Sequence, residues 1–153
     1  MIYAGVLFIH SWLRWIVILT GVAATIRAVA GAATGKSWTP TDDRSGFWFS
    51  IALDVQFLLG LILYVFLSPV THAVFADFGG AMKNSVQRFW AVEHLVGMFI
   101  AIALVHMGRA TARKTDSLRR HKVTAGFFVI ALMVILASIP WPGLPYGRPL
   151  LRW

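Results

Sequence analysis

The chain is predicted to be an all-α membrane protein: four transmembrane helices in an up-down-up-down bundle, both termini outside. Three observations predict this. Of its 153 residues, 58% are hydrophobic and 13% charged, whereas an ordinary soluble domain is roughly 45–50% apolar and 25% charged. The apolar residues gather into four runs, each long enough to cross a bilayer core of ~30 Å, which takes ~20 residues of helix. The basic residues fall mostly in the connections between those runs. This balance excludes a soluble globular domain and a disordered chain. Cysteine is absent, which removes disulfides, zinc–thiolate sites and iron–sulfur clusters. A net charge of +8 in so apolar a chain is read as orientation in a membrane, with no nucleic-acid partner.

A single integral membrane domain, 1–153, accounts for every segment. The first span covers 2–29 and carries Arg14; without a basic leader, it is expected to be retained as a helix and not cleaved as a signal peptide. The second covers 47–70 with Asp54 inside it, and the third 89–107 with Glu93 inside it. The fourth, 123–139, carries no charge. An outer loop, 71–88, follows the second span, and a basic inner loop, 108–122, follows the third. The tail, 140–153, holds Pro140, Pro142 and Pro145 and cannot continue a helix, because proline lacks the backbone donor and clashes with the preceding turn. Trp141, Tyr146 and Trp153 in that tail suit an aromatic belt at the outer interface.

Lys and Arg counts orient the bundle. Arg27 at the end of the first span belongs with Lys36 and Arg44 to the first connection, and Arg109, Arg113, Lys114, Arg119, Arg120 and Lys122 lie between the last two spans. The opposite side has only Lys83, Arg88, Arg148 and Arg152. The positive-inside rule puts the first group in the cytoplasm.

Polar residues within spans are costly and mark functional or paired sites. At 1.5 Å per residue, His10 lies roughly 12 Å and His94 roughly 8 Å from the outer boundary. Two imidazoles at one level on parallel helices can hold a haem iron from both faces; the plainer alternative for each is a hydrogen bond to a neighbour or to water. Arg14 and Asp54 also match, at roughly 18 and 20 Å, so a structural ion pair between them is expected, with a haem propionate or quinone oxygen as Arg14's other partner. Glu93 either bridges to Arg88 or serves as a proton or quinone contact beside His94. Gly60 and Gly97 would let a helix or a flat cofactor approach closely. His106 and His121 are expected at the inner surface near phospholipid, and His72 in solvent. Met98 and Met107 could serve copper, but methionine on an apolar helix is more often packing.

Several stretches resemble a family of small four-helix bacterial membrane proteins often labelled cytochrome b-like. They are His10-Ser11-Trp12-Leu13-Arg14-Trp15, the run from Gln56 to Tyr64, Ala81-Met82-Lys83-Asn84-Ser85, Arg88-Phe89, Glu93-His94 and Ser138-Ile139-Pro140-Trp141-Pro142. The resemblance implies the bacterial inner membrane and haem ligation by His10 and His94. Some relatives carry a histidine where this chain has Asp54, so a ligand scheme through the second span is closed to it.

The leading expectation is therefore a membrane electron-transfer subunit with one haem b between the first and third helices near the outer face, with quinone as a further ligand. Other membrane or redox subunits would be its partners, alongside the lipid bilayer. No independent catalytic motif is visible. Two alternatives are a cofactor-free accessory or assembly subunit of a larger complex, and a small proton or ion transporter using Asp54, Arg14 and Glu93.

Overall fold

The computed structural model describes residues 1–151; Arg152 and Trp153, expected at the outer surface, lie outside the described residues. The described residues form seven α-helices: α1 Ile2–Thr34, α2 Pro40–Ile62, α3 Pro69–Ala76, α4 Phe78–Lys83, α5 Ser85–Arg88, α6 His94–Arg113 and α7 Ser117–Ser138. Two π-helical turns interrupt them, Leu63–Leu67 after α2 and Phe89–Glu93 before α6. No strand occurs among the described residues. Four helical stretches, Ile2–Thr34, Pro40–Leu67, Ser85–Arg113 and Arg119–Ser138, are long and apolar enough to cross a membrane, as in a multi-pass membrane protein.

The helices run past the apolar runs that announced them. Residues 108–113 and 117–122, expected in a basic loop, belong to α6 and α7, leaving only 114–116 as a link. The reason is that Lys and Arg end an apolar run without ending a helix, since both are good helix formers. The real stops are local. α1 ends at Gly35, whose φ of 63° is left-handed and whose N–H returns to the Gly31 carbonyl. α2 starts on Thr39-Pro40, and the Asp42 carboxylate accepts from the Thr39 N–H at 2.9 Å. α7 starts at Asp116, whose carboxylate accepts from the Arg119 N–H at 3.1 Å. The outer loop, 71–88, is likewise helical for most of its length, its short helices capped by Ser68, Asp77 and Asn84.

α1 packs along α2 and α7, α6 packs along α7, and α2 meets α6 over a shorter seam. α1 and α6 are thus the diagonal pair. The centre is filled by Phe49, Leu53, Val105, Ala101, Phe128 and Ala131, all nearly inaccessible; the Phe49 and Phe128 rings meet edge to face at 5.3 Å. Close approach needs small residues. A Cβ at Gly21 would stand 2.8 Å from the Phe49 ring, and one at Gly108 would stand 2.5 Å from Phe127 Cβ.

Away from the packed centre, each end of the bundle holds a pocket. One collects His10, Tyr64 and His94 and is called the histidine end. The other collects Asp42, Arg109, Arg113 and Arg120 and is called the arginine end. The tail folds back over the histidine end. Tyr146 stacks on Phe89 at 3.6 Å between ring centroids, and the Arg148 N–H bonds to the Pro140 carbonyl at 3.0 Å. Tyr146 thereby holds the tail against the start of the third span.

Candidate functional site

The larger pocket lies between α1, α2, α6 and the end of α7, with about 140 Å³ open to the centres of water molecules. His10 and Arg14 of α1, Gln56, Gly60 and Tyr64 from the second span, and His94 and Met98 of α6 all line it, as does Arg148 of the tail. The two histidines that depth placed together do face one cavity, from diagonal helices.

His94 is anchored by the end of α7. Its Nδ1 lies 2.8 Å from the Ser138 carbonyl oxygen. A carbonyl only accepts, so Nδ1 carries the proton and, in the neutral ring, Nε2 keeps the lone pair. The Ser138 carbonyl is available for a definite reason. Its helical donor would be the N–H of residue 142, four positions on, and residue 142 is proline. The Leu136 carbonyl loses its donor to Pro140 in the same way and accepts instead from Trp141 Nε1 at 2.8 Å.

Gly97, one turn after His94, faces α7. A Cβ there would collide with Ser138 Oγ. Of the two expected neighbours, a helix or a flat cofactor, the structure has the helix: the missing side chain lets α6 close on α7, which brings Ser138 within reach of His94. Gly60 does line the cavity, and a Cβ on it would stand 3.2 Å from His10 Cε1.

His10 is held from α2. The Gln56 side-chain amide donates to the His10 carbonyl at 3.0 Å and lies 3.3 Å from His10 Nε2. His10 Nδ1 and Gln56 Oε1 are buried without a hydrogen-bond partner. Such atoms are costly, at about 1–3 kcal/mol each when unsatisfied, and mark a place where a ligand or water completes the bonding.

The expected Arg14–Asp54 pair is not formed. Arg14 donates to the Leu150 carbonyl of the tail at 2.6 Å, and Trp15 Nε1 shares that acceptor at 3.1 Å. Asp54 bonds His106 Nε2 at 2.8 Å on the partly exposed α2–α6 seam. Matched depth does not fix azimuth: Gln56 lines the cavity, and Asp54, two residues earlier, points about 200° away from it. His106 is thereby a partner of Asp54 rather than a free interfacial group.

Glu93 bridges Arg88 at 2.8 Å, both side chains close to half exposed, and stays outside the cavity wall. His72 is exposed, as expected. His121, expected at the inner surface, is 2% exposed; it packs on Trp38 at 4.8 Å between centroids and against Gly31.

The π-helical turns supply a feature that periodicity missed. Tyr64, in the first turn, donates to the Ala91 carbonyl in the second at 2.6 Å. The Tyr64 carbonyl accepts from Thr71 Oγ1 at 2.7 Å. Its π-type donor would be residue 69, which is proline. Single π turns recur at functional sites because they rotate the side chains that follow, and His94 follows the second directly.

No group of three or more His, Cys, Asp or Glu residues that could hold a bare metal ion occurs among the described residues. An axial pair for haem needs only two imidazoles. Comparisons with protein-family models, with curated proteins and with solved structures return no match.

Proposed function

We propose that the chain is a membrane electron-transfer subunit that holds one haem b in the cavity at the histidine end, where His94 and His10 would be the residues that hold it. The observation that carries this reading is the His94–Ser138 bond, because it leaves Nε2 as a fixed lone-pair donor at a cavity wall. Haem-ligating histidines are oriented by this kind of bond from the other ring nitrogen.

The residues present fit the group on three counts. His94 offers a preset nitrogen. His10 turns its ring to the same cavity and can give Nε2 once the Gln56 amide is displaced from it. Arg14 and Arg148 line the cavity as cations suited to propionate carboxylates. Haem supplies one-electron chemistry at its iron, and the protein supplies binding, orientation and a low dielectric. His94 holds its place through Ser138. Gln56 positions the His10 ring, and it must release His10 Nε2 if that nitrogen is the one used. Leu7, Val17, Leu53 and Leu61 on the cavity wall exclude water. In this reading the basic connections, by the positive-inside rule, support an arginine end in the cytoplasm and a cavity toward the outside of a bacterial inner membrane. The partner is then a redox protein or subunit reached from that side.

A specific observation favours a second reading, a quinone or quinol headgroup in the same cavity. With Gln56 donating to His10 Nε2, His10 Nδ1–H is a donor and Gln56 Oε1 an acceptor, both lacking partners. A ring bearing carbonyl or hydroxyl oxygens would satisfy both. The remaining alternatives, a cofactor-free accessory subunit and a small transporter, have no comparable support, since Asp54 and Glu93 stand outside the cavity. Extraction of protein purified from haem-replete cells decides between the readings. One equivalent of protohaem is expected; recovery of quinone without haem moves the assignment to the second reading, and recovery of neither removes both.

A further inference from the structure

We propose that the small pocket at the arginine end binds a phosphate group, the headgroup phosphate of an anionic phospholipid. This site is separate from the cavity above and does not depend on its occupant. The pocket lies where the start of α2, the end of α6 and the start of α7 converge. Arg109 and Arg113 stand one helical turn apart on α6, and Arg120 faces them from α7. Like charges at that spacing repel when nothing lies between them.

The nearby carboxylates leave an excess of positive charge. Asp42 is already bonded to Arg27 at 2.7 Å and Asp54 to His106, so on the pocket wall exposed Asp43 is left against three guanidinium groups. Few of their donors are used inside the protein. Arg109 gives one to Ser50 Oγ at 2.6 Å. Arg120 gives two, to the Thr115 and Arg113 carbonyls, at 3.1 and 3.3 Å.

A second observation points to a ligand. Thr124 is 3% exposed and its hydroxyl has no hydrogen-bond partner, and Trp38 Nε1 on the same pocket wall is also buried and unpartnered. Both can donate, which suits an acceptor-only oxyanion. About 10 Å³ is open to water centres, room for about one oxygen atom. The other phosphate oxygens then sit at the mouth beneath the arginines, which bind phosphate bidentately. The lipid source is favoured by the flanking surface: Phe47 and Trp48 are exposed on α2 beside the pocket, and Arg109 lies over the Phe47 ring at 5.6 Å. An acyl chain can run along those rings while its phosphate stays at the pocket. Basic pockets between transmembrane helices bind anionic headgroups on this principle.

Native mass spectrometry of the whole purified chain in detergent tests it, with phosphatidylglycerol, phosphatidylcholine and inorganic phosphate as probes. Phosphatidylglycerol is expected to bind more tightly than phosphatidylcholine. Arg113→Ala should weaken it about fivefold, the size of one cation near a headgroup, and Thr124→Val should weaken it without removing charge. Arg119→Ala removes the same charge from an exposed position outside the pocket and should leave binding unchanged. Equal loss in Arg113→Ala and Arg119→Ala, or no loss in Arg113→Ala and Thr124→Val with the melting temperature kept, overturns the site. Displacement of phosphatidylglycerol by millimolar inorganic phosphate overturns the lipid assignment in favour of free phosphate.

Discussion

His94 Nδ1 and the Ser138 carbonyl oxygen lie 2.8 Å apart, joining the start of α6 to the last residue of α7. Two prolines in the tail make this bond possible, because neither Pro140 nor Pro142 can donate back to the last turn of α7. The orientation of a cavity-lining imidazole is thereby written into a helix terminus more than forty residues away in sequence.

Gly97 controls that contact. Gly97→Ala should push α6 and α7 apart, lower stability by about 1–3 kcal/mol as overpacking does, and weaken ligand retention by tilting His94. Removing the obstructing hydroxyl in Gly97→Ala/Ser138→Ala should restore part of both, since the Cβ of residue 138 would still stand 3.0 Å from the new one. Thermal unfolding and cofactor content of the two variants check this, and equal damage in single and double variants would contradict it.

Tyr64→Phe removes the hydroxyl that joins the two π-helical turns and leaves the ring in place. The expected loss is about 0.5–1.5 kcal/mol, the net worth of one hydrogen bond. Hydrogen exchange should rise in the 89–94 segment and stay unchanged in α7. Exchange that rises throughout the bundle, or nowhere, would count against the link.

Asp54 and His106 should behave as a pair, and Arg14 and Asp54 should not. In a double-mutant cycle with alanine, Asp54 and His106 are expected to couple by about 0.6 kcal/mol and at most about 1.7, the range for interhelical hydrogen bonds in membranes. Arg14→Ala and Asp54→Ala should add within about 0.3–0.5 kcal/mol. A reversed outcome would mean that Arg14 meets Asp54 in the bilayer.

The spans were legible because lipid demands an apolar run, and four such runs stand out. The meeting of His10 and His94 in one cavity was legible because rise per residue fixes depth along a helix. Depth alone misled at Asp54, where 100° per residue turns the carboxylate from the cavity to the α2–α6 seam. The ends of the helices were misread because Arg109, Arg113 and Lys122 end an apolar run but favour helix. His121 was assigned to the surface by its basic neighbours, while Gly31 opens the space that buries it against Trp38. The two π turns left no periodic trace, though Pro69, five residues after Tyr64, was a visible cause of one orphan carbonyl. Ser138-Ile139-Pro140-Trp141-Pro142 likewise announced that α7 would end with unused carbonyls, but only the fold shows that His94 takes one.

The reduced-minus-oxidised optical spectrum of the purified protein, recorded beside those of His94→Ala and Gln56→Ala, tests the central claim most directly. The account predicts a b-type spectrum in the wild type, its loss in His94→Ala, and its persistence in Gln56→Ala, which frees the His10 ring. A spectrum unchanged in His94→Ala, or a colourless wild type from haem-replete cells, would contradict it.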